Sequence, residues 1–232
     1  MTQLNVNTIE PAGATLNIGA SGDTIKVNDS VNVNTVKDAG GNTLWVSDGS
    51  GVLSSVNSVF GDALVLLSTA TADDDASLSF TSDIDSTYKE YIFKFININP
   101  ATDNASWTFQ VSTDGGSSYN VTVTSTFFYT YNWSGGSFLG YSTSGDQGQG
   151  TAYQNLGGGV GNASQKSMSG ELHLFNPSST TYVKNFYAVS QFENDGTLSL
   201  NCYIAGYFNT TSAVDAVSWK FDSGNVNEGT VK

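Results

Sequence analysis

Residues 127–133 read FFYTYNW. In an extended chain successive side chains point to opposite faces, so Phe127, Tyr129, Tyr131 and Trp133 share one face, and Phe128, Thr130 and Asn132 the other. A row of ring faces with amides and hydroxyls nearby suits a sugar. The apolar C–H patch of the sugar stacks on a ring while polar tips bond its hydroxyls. A segment rich in Gly, Tyr and Gln follows at 135–155, GGSFLGYSTSGDQGQGTAYQN, and loops on a rigid scaffold are where recognition usually sits. The candidate glycan-binding residues are therefore Tyr131 and Trp133 at the end of the run, with Tyr141 and Tyr153 from the loop. The competing reading is that four aromatics on one face are simply the inside of a β-sandwich.

Other chemistry finds less to work with. The acidic turns ADDDA (72–76), DSTY (85–88), STDGGSS (112–118) and FENDGT (192–197) gather oxygen ligands of the kind Ca²⁺ uses. None has the twelve-residue spacing with its terminal bidentate Glu, and Asp and Asn occupy turns for backbone reasons alone; no metal site is assigned. The single histidine, His173, lies in GELHLFN beside Glu171 on the same strand face, with no G-x-S-x-G elbow to supply a serine nucleophile. The single cysteine, Cys202, sits in the alternating LSLNCYIAGYF and reads as a buried small apolar residue. GGGVGN (157–162) lacks the third glycine of a dinucleotide fingerprint, and no helical pattern follows it. A paired-carboxylate glycosidase is the one reaction left open, because carboxylate separation cannot be read from sequence. The expectation is a protein that is not an enzyme and uses no cofactor.

Composition narrows the partners. All eight basic residues are Lys, set against 21 acids, for a net charge of −13. Nucleic-acid binding needs clustered cations, and Arg forks to read guanine, so that class is excluded. No run approaches the 18 apolar residues of a membrane-spanning helix. One cysteine rules out an internal disulfide framework. The opening MTQLNVNTIE has no basic region, apolar stretch or cleavage site, so synthesis in a cytoplasm without general export is expected.

The elements that would position these residues are strands. Period-two alternation recurs at 76–82, 90–98, 106–112, 119–133, 170–176, 181–192, 198–208 and 216–222, separated by turn clusters such as DDDA, SGDQGQG, LGGGVGN and DSGNVNEG. This predicts an antiparallel, jelly-roll-like β-sandwich over residues 59–232.

Residues 1–58 differ. LNVNTIEPAG (4–13) is echoed by VNVNTVKDAG (31–40), and TLNIGASGDTI (15–25) by TLWVSDGSGVL (43–53). Each repeat offers few apolar side chains: Val6, Ile9, Leu16, Ile18 and Ile25, then Val33, Val36, Leu44, Val46 and Leu53. Repeat architectures generally need three or more units to close a core, and one chain has two. Identical segments from three chains would supply six, which predicts a short β stalk that anchors and trimerises. The alternative is a small β subdomain lying against its own sandwich.

The stretches STYKEYIFKFININPATD (86–103), SGELHLFNPSSTTYVKNF (169–186) and AGYFNTTSAVDAVSWKFDSGNVNEGTVK (205–232) resemble a β-sandwich domain of virion structural proteins from marine tailed bacteriophages. LNVNTIEPAGATLNI resembles segments that open phage fibre-like proteins. The resemblance implies a homotrimeric structural or host-contact protein on the particle, without enzymatic activity, held to other virion proteins of the tail or capsid. It does not choose between tail and capsid and carries over no binding residues. The leading expectation is a trimeric tail fibre or spike contacting host-surface carbohydrate. The alternatives are a capsid-decorating protein and a free carbohydrate-binding module.

Overall fold

The structure, a computed structural model, describes residues 35–38, 40–47, 49–50, 53–56 and 64–232. Of the proposed stalk residues, Val6, Ile9, Leu16, Ile18, Ile25 and Val33 lie outside the described residues, and Leu53 is described only through its backbone. The chain divides into two units, Met1–Leu64 and Val65–Lys232.

In the first unit β1 (Thr35–Lys37), β2 (Thr43–Ser47) and β3 (Leu53–Val56) form an antiparallel sheet in chain order. Val36 pairs with Trp45, and Trp45 with Val56. The β1–β2 turn is held by the Asp38 carboxylate, which accepts the Asn42 backbone N–H at 2.8 Å and its side-chain amide at 3.0 Å. Gly41 takes the positive φ of 83° that the turn requires. Val36, Leu44 and Val46 are only half-buried here.

The second unit runs β4 (Ala70–Asp75), β5 (Leu78–Phe80), β6 (Glu90–Pro100), β7 (Ala105–Ser112), β8 (Val123–Trp133), β9 (Gly136–Tyr141), β10 (Gly148–Gly150), β11 (Gln154–Val160), β12 (Met168–Phe175), β13 (Lys184–Glu193), β14 (Ser199–Phe208), β15 (Ala216–Phe221) and β16 (Val226–Val231), with no helix among the described residues. The protein is all-β, as the alternation predicts. The larger sheet has the order β10-β8-β14-β13-β12-β6-β16-β4, with β9 also paired to β8; the smaller has the order β11-β7-β15-β5. Every pairing is antiparallel.

Aromatic side chains join the two sheets. Trp219 of the small sheet lies 4.8 Å from Phe93 and 6.2 Å from Phe95 of the large one, with Phe80 edge-on at 5.7 Å. Trp107 meets Phe95 and Phe221, and Phe109 meets Phe186 and Phe208. Alternation along β6 buries Tyr91, Phe93 and Phe95 and leaves Glu90, Lys94 and Ile96 outside.

Four strands lie where turns were expected. β4 reads ATADDD, but it is the edge strand beside β16, where charge is tolerated and discourages edge-to-edge pairing. β11 reads QNLGGGV, and its glycines serve packing: a β-carbon on Gly157 would sit 2.7 Å from both Met168 and Phe192. β16 carries Gly229 at φ 122° and is an inner strand between β6 and β4. β10 falls within SGDQGQG and pairs with the start of β8.

The acidic turns use their carboxylates internally. Asp85 accepts the Thr87 N–H at 2.7 Å, and Asp114 accepts the Ser112 hydroxyl at 2.6 Å and the Ser118 N–H at 2.9 Å. In the 192–197 turn the Lys166 ammonium fills the place considered for a cation, donating to the carbonyls of Asn194, Asp195 and Gly196 at 2.7, 2.8 and 2.7 Å. Among the described residues no three His, Cys, Asp or Glu side chains are grouped to hold a metal ion.

Candidate functional site

β8 carries its aromatics from the core out into solvent. Its first inward-facing residues, Val123, Ser125 and Phe127, are buried; Tyr129 and Tyr131 are half-buried; Trp133 is 39 % exposed. The small sheet ends at β11, and the far end of β8 extends past it. The rings form a ladder: Phe127–Tyr129 at 6.2 Å, Tyr129–Tyr131 at 6.0 Å, and Tyr131–Trp133 at 5.3 Å. Both readings of FFYTYNW therefore apply, one at each end of the strand.

A residue the sequence reading passed over completes the site. Ser134 and Gly135 form a two-residue turn, Trp133 pairs with Gly136, and β9 returns along β8. Phe138 lands opposite Tyr131 on the ladder face, stacked at 5.0 Å and 21°, and 5.7 Å from Tyr129. The serine–glycine step between two alternating runs was the available signal. Glycine clears the space around these rings. A β-carbon on Gly135 would collide with the Trp133 indole, and one on Gly140 with the Phe138 ring.

The structure separates the four sequence-derived candidates. Tyr131 and Trp133 belong to one ladder with Phe138. Tyr141 lies on the other face of the hairpin opposite Phe128, and its hydroxyl donates to Asp146 at 2.5 Å; that bond to a carboxylate raises the Tyr141 pKa. Tyr153 precedes β11, 6.3 Å from Tyr119, with the Lys220 ammonium 4.5 Å above its ring. The surroundings of the ladder are almost uncharged: from Gly115 to Gln165 the sequence has one charged residue, Asp146.

His173 is buried on the outer face of the large sheet, its ring stacked on Tyr187 at 4.4 Å. Its Nδ1 lies 2.7 Å from Glu90 Oε1, and its Nε2 lies 3.4 Å from Glu171 Oε1 at an angle that makes no hydrogen bond. Glu90 was not visible as a neighbour in sequence, being 83 positions away. Neither a serine nor a cysteine hydrogen-bonds the ring among the described residues.

Cys202 faces inward between Ser190 and Tyr129, 1 % exposed. Burial pushes its thiol from the ordinary 9.0 up to about 12. Iodoacetamide at mildly alkaline pH is expected to leave the folded protein unmodified and to label one site once guanidinium unfolds it; mass spectrometry reads both. Because the folded pKa is the higher one, the stability it contributes is full below the ordinary value and is lost as pH rises through about 12.

The fold and site together define an antiparallel β-sandwich with an aromatic ladder on a projecting hairpin. In comparisons with known proteins the chain matches no family model, no curated protein and no solved structure. Among the described residues no helix is long and apolar enough to cross a membrane.

Proposed function

We propose that this protein is a non-enzymatic virion structural protein, a trimeric tail fibre or spike, whose sandwich binds neutral host-surface glycans through Tyr131, Trp133 and Phe138. The observation that carries the binding role is the graded exposure of the ladder. Rings held parallel by strand pairing, anchored at a buried Phe127 and ending at an exposed Trp133, offer a preformed stacking surface at little entropic cost. The near absence of charge around it favours a hydroxylated ligand over an ionic one. The virion role rests on the resemblance of residues 86–103, 169–186 and 205–232 to phage structural proteins, and on the surface character of a hydroxyl- and amide-rich β protein.

Trimerisation follows from the first unit. A three-stranded sheet with half-buried Val36, Leu44 and Val46 gains apolar burial when copies associate, and each methylene removed from water contributes about 0.8 kcal/mol. Weak sites displayed threefold gain avidity without any new contact. Light scattering on the full chain should give three times the 24.4 kDa protomer mass; a monomer returns the first unit to the subdomain reading. Quantitative mass spectrometry of purified particles then tests the location. Copies in a small multiple of the tail symmetry support the fibre, copies on the order of hundreds support capsid decoration, and absence from particles overturns the virion role.

A further inference from the structure

The outer face of the large sheet holds a depression that the ladder does not use. It encloses about 370 Å³, at the lower end of the range for small-ligand sites. Lys94, Ile96, Glu171, Val189, Gln191 and Asn201, on four neighbouring strands, line it. A β-bulge lies beside it. Asn97 takes φ 54° and donates its N–H to Ser169 Oγ at 3.1 Å, and the β6–β12 register shifts between Met168 and Gly170. Bulges concentrate next to sites where a strand must re-aim its side chains.

The polar groups around the depression are unusually unengaged. Glu171 and Lys94 face each other in register, yet Lys94 makes no ion pair among the described residues. Asn201 Oδ1 is buried with no hydrogen-bond partner, although Asn201 Nδ2 donates to the Ser190 carbonyl at 3.1 Å. Leaving a buried acceptor unmet costs about 1–3 kcal/mol, so a ligand hydroxyl that meets it is favoured. Val189 and Ile96 supply an apolar floor, and Tyr203, opposite Val189 in register, is 37 % exposed alongside.

We propose that this depression is a second carbohydrate site, taking a single neutral hexose ring. Lys94 and Ser169 donate, Glu171 and Gln191 accept, and the C–H face of the sugar lies over Val189 and Ile96. A lone anion is disfavoured by Glu171 and a lone cation by Lys94, whereas a polyol uses both. The volume admits one ring rather than a chain. The site is on the opposite face of the large sheet from Tyr131 and Trp133, so it stands independently of the ladder reading.

The test is a ¹H–¹⁵N NMR titration of the full chain with glucose, galactose, mannose and N-acetylglucosamine, each at millimolar concentration. At least one sugar is expected to shift amides of 169–171, 189–191 and 201. In Gln191→Trp, where the exposed side chain is enlarged to fill the depression, the apparent affinity should fall at least roughly tenfold while the remaining spectrum is preserved. Trp133→Ala should leave these shifts unchanged. The proposal is overturned if none of the four sugars moves these amides, if shifts appear only around 129–138, or if Gln191→Trp binds like wild type.

Discussion

Trp219→Ala is expected to lower the stability of the second unit by about 3–5 kcal/mol, the cost of removing a fully buried large aromatic from a packed core. Trp219 has no exposed surface and contacts three phenylalanines drawn from both sheets. Its loss leaves a cavity bounded by strand backbone on two sides, which the sheets cannot readily close. Against a typical domain stability of about 5–15 kcal/mol this is a large fraction. Urea and thermal melts of the variant should show one transition at a much lower midpoint. Trp219→Phe should cost less than half as much. It keeps a ring and removes an indole N–H that has no hydrogen-bond partner in the core. An alanine variant within about 1 kcal/mol of wild type would mean that the two sheets are not joined through this residue.

The second large effect is on binding. Removing Tyr131 and Trp133 together should abolish retention on host polysaccharide while changing stability by about 1 kcal/mol or less, because Trp133 is exposed and Tyr131 half-buried. Each lost stacking contact is worth about 0.5–1.5 kcal/mol, so the pair weakens one head by roughly tenfold or more. Trimeric display multiplies that loss, since avidity compounds the affinity of each head. Tyr141→Ala and Tyr153→Ala serve as internal controls. Tyr141 faces away from the ladder, and Tyr153 sits beside Tyr119 and Lys220, so neither should reduce retention by more than about twofold.

The sandwich was legible because its core strands alternate cleanly: β6, β7, β13, β14 and β15 all fall within segments marked by period two. The strands that escaped did so for physical reasons. Gly157 lies in β11 because a side chain there would strike Met168 and Phe192, and a run of glycines looks like a turn when its packing partner is distant in sequence. β4 is acidic because an edge strand has no second neighbour to pack against.

The ladder face of FFYTYNW was likewise legible, but the point along it where burial gives way to exposure was not. That point depends on where the small sheet ends, and β11 was one of the strands missed. Tyr141 and Tyr153 were grouped with the ladder by proximity in sequence. The hairpin turn at Ser134–Gly135 reverses the chain and puts Phe138, not Tyr141, beside Tyr131.

The claim that sugar rings stack on the exposed end of the ladder is tested most directly by following the tryptophan indole N–H signals during titration with a host-surface oligosaccharide. The chain has four tryptophans, and the signal missing from Trp133→Ala identifies Trp133. Trp107 and Trp219 are fully buried and serve as fixed references. A saturable shift of the Trp133 indole, with the two core indoles unmoved, is the predicted result. A glycan that binds the protein while the Trp133 indole stays in place would contradict the account.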